Sequence, residues 1–338
     1  MVLEPYNLIR YLLSKDILQF DLSSCRITTS ELSRPDARNC VVEVCIENSN
    51  DELLQFIAKQ PRYFDNDSIK FINNERNFYD FANKNKIDSI GKFVDFDDYN
   101  KILFLKKRED LEVFTYDSFF KLEHSNHTEF FSKIATKLQE SHKKTEKFNT
   151  FEKVLDAYLP FVNIKNLLNE FPKFQKYDYS DKPKFSNFYD LVSDINYQIK
   201  IIKILNKWQN DCIIHGDFHY KNILHGNNGN NFAFIDFELA GIGDRCWDIA
   251  CFIHSILIDR DFLKRTLTTN LNEFINNFLL GYQNVDKEKI IQFIAVKAIW
   301  HCWITLFNED LKIKIDLIKK MIDYPSSTFN FEFLIPRY

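Results

Sequence analysis

Ile213-Ile-His215-Gly216-Asp217-Phe-His219-Tyr-Lys221-Asn222 is followed, after eleven intervening residues, by Phe234-Ile-Asp236-Phe-Glu238, and then by Gly243-Asp244-Arg-Cys-Trp247-Asp248. Each of the first two stretches ends a short apolar run, Cys212 to Ile214 and Phe232 to Ile235, that reads as a buried strand. Each strand would therefore deliver a carboxylate at its end, and both carboxylates are expected in one cleft. Five of the seven glycines of the chain, Gly216, Gly226, Gly229, Gly241 and Gly243, fall in this segment. In so glycine-poor a chain they mark backbone that turns tightly or closely approaches a ligand.

The spacing has a chemical meaning. Phosphoryl transfer needs one carboxylate to receive the hydroxyl proton and two further oxygen ligands to hold magnesium against the phosphates. Asp217, Asn222 and Asp236 supply those three groups. Taking each fixed residue as roughly a 5% event, five fixed positions at these gaps arise by chance in a chain this long on the order of 10⁻⁴ of the time. The segment resembles the aminoglycoside and choline kinase superfamily, whose members carry His-Gly-Asp-x-x-x-x-Asn followed by Ile-Asp-Phe/Trp-Glu. The resemblance implies a protein-kinase-like fold, with Asp217 as catalytic base, Asn222 and Asp236 as magnesium ligands, and His215 bracing the loop. It also puts His219 where protein kinases have a lysine, within reach of the transferred phosphate. Lys221 reads as a solvated surface residue. Asp248 lies in an apolar helix, where an unpaired carboxylate would be costly, so it is expected to accept hydrogen bonds from the loop.

Such a site also needs a cation for the nucleotide phosphates, normally a strand lysine held by a helix glutamate. Cys40 to Glu47 and Leu53 to Gln60 read as two strands joined by a hairpin at Asn48 to Asp51, and Lys59 lies near the end of the second. Downstream, Phe71, Ile72, Phe78, Tyr79 and Ala82 recur at helical spacing. Glu75 falls on that apolar face, where a buried glutamate requires a cation, and Lys59 is the one the kinase arrangement brings to it. The nucleotide loop of the superfamily usually contains glycine. Here Thr28 to Asn39 has none, so Ser33, Arg34, Arg38 and Asn39 are expected to contact phosphate by side chain.

The 338 residues, 45% apolar and 16% aromatic, suit two lobes with a sizeable core. The fold class read is α+β, a bilobal kinase-like chain. A small β-rich nucleotide-binding lobe spans 1–105, and a mostly helical catalytic and substrate lobe spans 106–338. A first helix is placed at Tyr6 to Lys15, and the helices of the larger lobe at Glu129 to Lys143, Phe262 to Leu280, Lys287 to Phe307 and Glu309 to Ile322, with an exposed insertion at Pro172 to Ser186.

Charge is interspersed, 44 basic against 48 acidic residues, so no basic face for nucleic acid is evident. The longest apolar stretch, Ile290 to Phe307, is broken by Gln292, Lys297 and His301 and reads as a buried helix, with no membrane partner. Seven irregularly spaced cysteines and the absence of a signal-peptide pattern suggest free thiols in a cytoplasmic protein. His215, His219 and His225 lack zinc-site spacing, and no Walker phosphate loop occurs.

The expected cofactors are ATP and Mg²⁺, and the expected partner is a small-molecule or peptide hydroxyl acceptor. Within the superfamily, the segments around Lys59-Gln60 and Glu238 to Asp248 look most like kinases of modified-peptide biosynthesis. An aminoglycoside-modifying kinase would favour clustered acidic residues late in the chain, and the modest set present is Glu309, Asp310 and Asp316. A catalytically silent kinase-like binding module is the reading from a different class.

Overall fold

The computed structural model describes residues 3–14, 25–34, 37–48, 53–115, 117–118, 124–146, 148, 183–226, 229–258, 271–304 and 311–323. In chain order the first described elements are α1 (Pro5–Ser14), β1 (Arg26–Glu31), β2 (Asn39–Glu47), β3 (Leu53–Pro61), α2 (Asn66–Lys84), β4 (Lys92–Asp97), β5 (Ile102–Lys106) and β6 (Glu112–Val113). Then come α3 (His124–Thr145), α4 (Pro183–Ser193), α5 (Ile195–Leu205), β7 (Cys212–Ile214), β8 (Ile223–His225), β9 (Phe232–Phe234) and β10 (Gly241–Gly243). The helices α6 (Arg245–Ile258), α7 (Leu271–Gly281), α8 (Lys287–Ile304) and α9 (Leu311–Ile322) follow.

The chain forms two compact units. The first comprises Met1–Val113 and Leu224–Glu238, the second Phe114–Ile223 and Leu239–Tyr338. This differs from the division read at 105/106, because 106–113 and the segment 224–238 group with the first unit. The cause is pairing distant in sequence: Glu112 and Val113 of β6 pair with His225 and Leu224, and Ile90 bridges Phe234.

In the first unit an antiparallel five-stranded sheet has the order β1-β2-β3-β5-β4. Alternation along β2 buries Cys40, Val42, Val44 and Ile46, which join Leu8, Leu12, Phe56, Ala58 and Phe104 in one core. Phe56 and Ala58 of β3 join that core, so the same alternation turns Lys59 to the opposite face. α2 begins with Asp65 as its N-cap, the carboxylate accepting from the Ser68 N–H at 2.8 Å. Its apolar face buries Ile72, Glu75, Phe78, Tyr79 and Ala82.

In the second unit β7 pairs with β10, and most of the other described elements are helices. α3 packs on α7, and α8 on both α6 and α9. α8 buries Ile290, Ile291, Phe293, Ile294, Ala295, Val296 and Ile299. A helix apolar on nearly all sides belongs in a core, which makes a lysine at its centre conspicuous.

Several sequence-derived boundaries shift. The first helix ends at Ser14, with Lys15 outside the described residues. Of the expected insertion, 172–182 lies outside them, whereas Pro183–Ser186 opens α4 instead of forming an exposed loop. The helix read at Phe262 is described from Leu271 and that read at Glu309 from Leu311. The seven cysteines are free thiols. Among the described residues no helix is long and apolar enough to cross a membrane.

Candidate active site

Within the first unit, Lys59 Nζ donates to Glu75 Oε2 at 2.6 Å and also to Asp236, while Glu238 Oε2 lies 3.8 Å away. Lys59 and Glu75 are both buried. The segment carrying Asp236 is fastened to α2: Phe237 stacks on Phe78 at 4.2 Å, meets Tyr79 edge-on, and the Glu238 carbonyl accepts from Asn74 at 3.0 Å. Asp236 itself has φ +67°, a left-handed conformation that Asp tolerates better than most residues and that recurs at functional sites.

One ammonium here meets three carboxylates. Burial works against the Lys59 charge, but Asp236, Glu75 and Glu238 outweigh it and hold the lysine well above its usual range. Burial pushes Glu75 up to about 7; Lys59 opposes the rise, and the neighbouring carboxylates of Asp236 and Glu238 add to it. Oxygens of Glu75, Asp236 and Glu238 lie within 4.8 Å of one another. Hard carboxylate oxygens carrying more negative charge than Lys59 neutralises fit a divalent cation of the magnesium type.

The glycine-free connection between β1 and β2 is tied down from several sides. Arg62 donates to Glu31, to Ser33 Oγ at 3.0 Å and to the Arg34 carbonyl at 3.2 Å. Arg38 and Asn39 reach Glu238 at 2.8 and 3.0 Å. Two of the side chains expected to meet phosphate are thus joined to a carboxylate, and the described contact of Arg34 in this network is through its carbonyl.

In the second unit, β7 leads into the loop bearing Asp217. Gly216 has φ +82°, and a Cβ there would lie 2.3 Å from the Leu239 carbonyl oxygen, so only glycine fits the turn. Asp248, fully buried, accepts from the backbone N–H groups of His215 at 2.7 Å and Gly216 at 2.9 Å, and pairs with His142 Nε2 at 2.9 Å. His142 Nδ1 is in turn 2.6 Å from the Tyr282 hydroxyl. Trp247 Nε1 donates to the Gly216 carbonyl, and Asn222 Nδ2 to the Asp217 carbonyl at 3.1 Å. That bond leaves the Asn222 side-chain oxygen as the atom it can offer a metal. The His215 ring packs edge-on against Phe218.

The Asp217 carboxylate has two basic neighbours. Lys297 Nζ of α8 donates to Oδ1 at 2.8 Å, and His219 Nε2 lies 3.8 Å from Oδ2. Burial would raise the acid's pKa, but Lys297 and then His219 outweigh it and hold Asp217 well below the usual carboxylate range. Sequence reasoning singled out neither Lys297 nor Glu238 as a site residue. For Glu238 the signal was its place in the Asp236-Phe-Glu motif; for Lys297 it was a lysine within an otherwise apolar helix.

Comparison with known proteins places the fold. Residues 195–285, which contain both motifs, match the model of the Phosphotransferase enzyme family. The choline/ethanolamine kinase family protein from Mesorhizobium loti superposes with a TM-score of 0.58 at 11% identity, covering 98% of this chain and 97% of that one. For the Plasmodium vivax ethanolamine kinase the values are 0.59, 16%, 95% and 89%. For APH(2'')-IIa in a ternary complex with streptomycin and ATP they are 0.58, 17%, 94% and 99%. No curated protein matches the chain. The fold is the protein-kinase-like one, shared with choline, ethanolamine and aminoglycoside kinases, and the family match is carried by residues 195–285.

Proposed function

We propose that the protein transfers the γ-phosphate of Mg-ATP to a hydroxyl of a small molecule or of a peptide serine or threonine, with Asp217 as base. The observation that carries this reading is the clamped loop. Asp248 fixes two consecutive backbone N–H groups immediately before Asp217, and Asn222 fixes the carbonyl of Asp217 itself. Such a carboxylate is pre-organised to accept a proton without reorganisation.

In this reading the acceptor oxygen forms a bond to the γ-phosphorus while the bond from that phosphorus to the β,γ-bridging oxygen breaks. ADP leaves with the electron pair, and the hydroxyl proton passes to Asp217. Lys59, oriented by Glu75, binds nucleotide phosphate; His219 meets the transferred group; His215 braces the loop; the connection containing Arg34 borders the nucleotide. Asp236 and Asn222 would hold magnesium, with Glu238 as a further oxygen donor. The metal, when bound, neutralises phosphate charge.

The test is incubation with Mg-ATP and a panel of aminoglycosides, choline, homoserine, sugars and any precursor peptide encoded beside the gene, read as a mass gain of one phosphate. A phosphorylated hydroxyl acceptor, lost in Asp217→Asn, is expected. Magnesium-dependent nucleotide binding with neither product nor ATP hydrolysis would replace this reading with the silent binding module. Modification of kanamycin-type compounds alone would make the protein an aminoglycoside kinase.

A further inference from the structure

Lys297 occupies an unusual place. It stands among the buried Ile294, Ala295, Val296 and Ile299 of α8, its side chain is 14% exposed, and its ammonium lies 2.8 Å from Asp217 Oδ1 and 5.9 Å from the centre of the Trp247 ring. A charge so placed in a core helix is expensive unless it is paired. Asp217 pairs it in this structure. An acceptor hydroxyl that donates to Asp217, as the function proposed above requires, shares that carboxylate with Lys297 and leaves the ammonium room for a second anionic partner. The other carboxylate within electrostatic reach, Asp248, is already held by His142 and two backbone N–H groups.

Position argues the same way. A hydroxyl donating to Asp217 stands about 2.7 Å from a carboxylate oxygen, so any acceptor presented there comes within a few ångströms of the Lys297 ammonium. His219 faces the other oxygen of the same carboxylate. One turn beyond Lys297, His301 of α8 meets His254 of α6 with ring centres 5.4 Å apart, which adds imidazoles to this face. Among the described residues, none of the late acidic residues pairs with Lys297 or lies against Asp217. Asp316 is exposed on α9, and Glu309 and Asp310 lie outside the described residues.

We propose that Lys297 forms an anion-binding acceptor subsite, so that the alcohol phosphorylated by this protein carries a carboxylate or phosphate group within a few bonds of its hydroxyl. The inference rests on the phosphotransferase reading, with Asp217 as base, and adds the charge class of the acceptor.

The experiment uses the full-length protein with Mg-ATP and short alcohols matched in length that end in a carboxylate, a phosphate monoester, a neutral amide or an ammonium group. Product is read by phosphate gain, and the slow hydrolysis of ATP by water is followed in parallel as each compound is added. Anionic members are expected to be phosphorylated, or to suppress hydrolysis competitively, at kcat/KM or affinity about 10- to 100-fold better than ammonium members, the worth of one charge-assisted hydrogen bond. The carboxylate and phosphate arms show which anion is preferred. Lys297→Gln should abolish that preference by raising the acceptor KM while leaving the KM for ATP unchanged, and Lys297→Arg should retain most of it. Thermal unfolding of each variant identifies loss of fold. A preference for ammonium members, or a Lys297→Gln effect confined to ATP, overturns the subsite. Absence of all ATP turnover, with no product from any alcohol, overturns the phosphotransferase reading itself and the subsite with it.

Discussion

In the first unit three carboxylates, Glu75, Asp236 and Glu238, meet at the single ammonium of Lys59; in the second, the single carboxylate of Asp217 meets both Lys297 and His219. The consequences run in opposite directions. Crowded carboxylate drives Glu75 up to about 7, with burial as the leading cause, whereas Lys297 holds Asp217 far down against the pull of burial. An under-neutralised acidic cluster favours an added cation, and a carboxylate already paired with an ammonium does not. Two clusters of the same residue types are thus suited to different ligands.

The sharpest contrast between them is functional. Asp217→Asn should leave magnesium-dependent nucleotide binding intact while turnover falls by about 10² to 10⁴, the usual worth of a positioned general base. Asp236→Ala should instead weaken magnesium-nucleotide binding, measured by calorimetry at limiting magnesium. If the two variants lose the same step, the division of labour between the clusters is wrong.

Next in size is a structural effect peculiar to the second unit. Asp248→Ala removes the acceptor for two backbone N–H groups and strands His142 in the core, for a loss of about 3–5 kcal/mol. Chemical denaturation measures it. A loss near that of a surface substitution would mean that the loop does not depend on this clamp.

The Asp248 clamp and the Lys59–Glu75 pair were both readable because each follows from a local pattern. A carboxylate in an apolar helix needs donors, and a glutamate on the apolar face of a helix needs a cation. What could not be read arises from pairing across sequence. β1 (RITTSE) has half-buried and exposed positions and no apolar run, and becomes a strand by pairing with β2. β4 is an edge strand with Asp95 and Asp97 in it, and its register with β5 shifts between Phe93 and Asp95. The segment 224–238 joins the first unit through β6 and Ile90, partners more than a hundred residues away. Within the candidate site, the residue types and spacings pointed to Asp217, Asn222 and Asp236. No local rule connects Lys297 with Asp217, eighty residues earlier, or Arg38 with Glu238, two hundred residues later.

Protons sharpen the comparison further. The folded-state pKa of Glu75 lies above its unfolded value, so between about pH 4.5 and 7 the folded chain binds more protons than the unfolded one. Stability therefore falls as pH rises through that window. At 1.36 kcal/mol per unit the loss is up to about 3 kcal/mol. Glu75→Gln, which mimics the protonated acid, should flatten this part of the pH profile of thermal unfolding. Asp217, held low, contributes in the opposite sense: its stabilisation is present above the unfolded carboxylate pKa and is lost only in strong acid. Identical pH profiles for wild type and Glu75→Gln between pH 5 and 8 would show that the first cluster is not acid-crowded.

The smallest effect is the most specific. Lys59→Ala, Glu75→Ala and the double variant form a cycle in which nucleotide affinity is the readout. If Glu75 acts by orienting Lys59, removing either one already removes most of what the other provides, and the two losses will not add. The coupling expected for buried groups in direct contact is about 2 kcal/mol. The sign is decided by the surrounding carboxylates. Lys59→Ala leaves Glu75, Asp236 and Glu238 without their shared ammonium, so Glu75→Ala in that background removes one of three repelling acids and should recover part of the loss. In the wild-type background the same substitution only weakens. Additive losses would mean that Asp236 and Glu238 alone orient Lys59, leaving the Glu75 contact at 2.6 Å without a role in nucleotide binding.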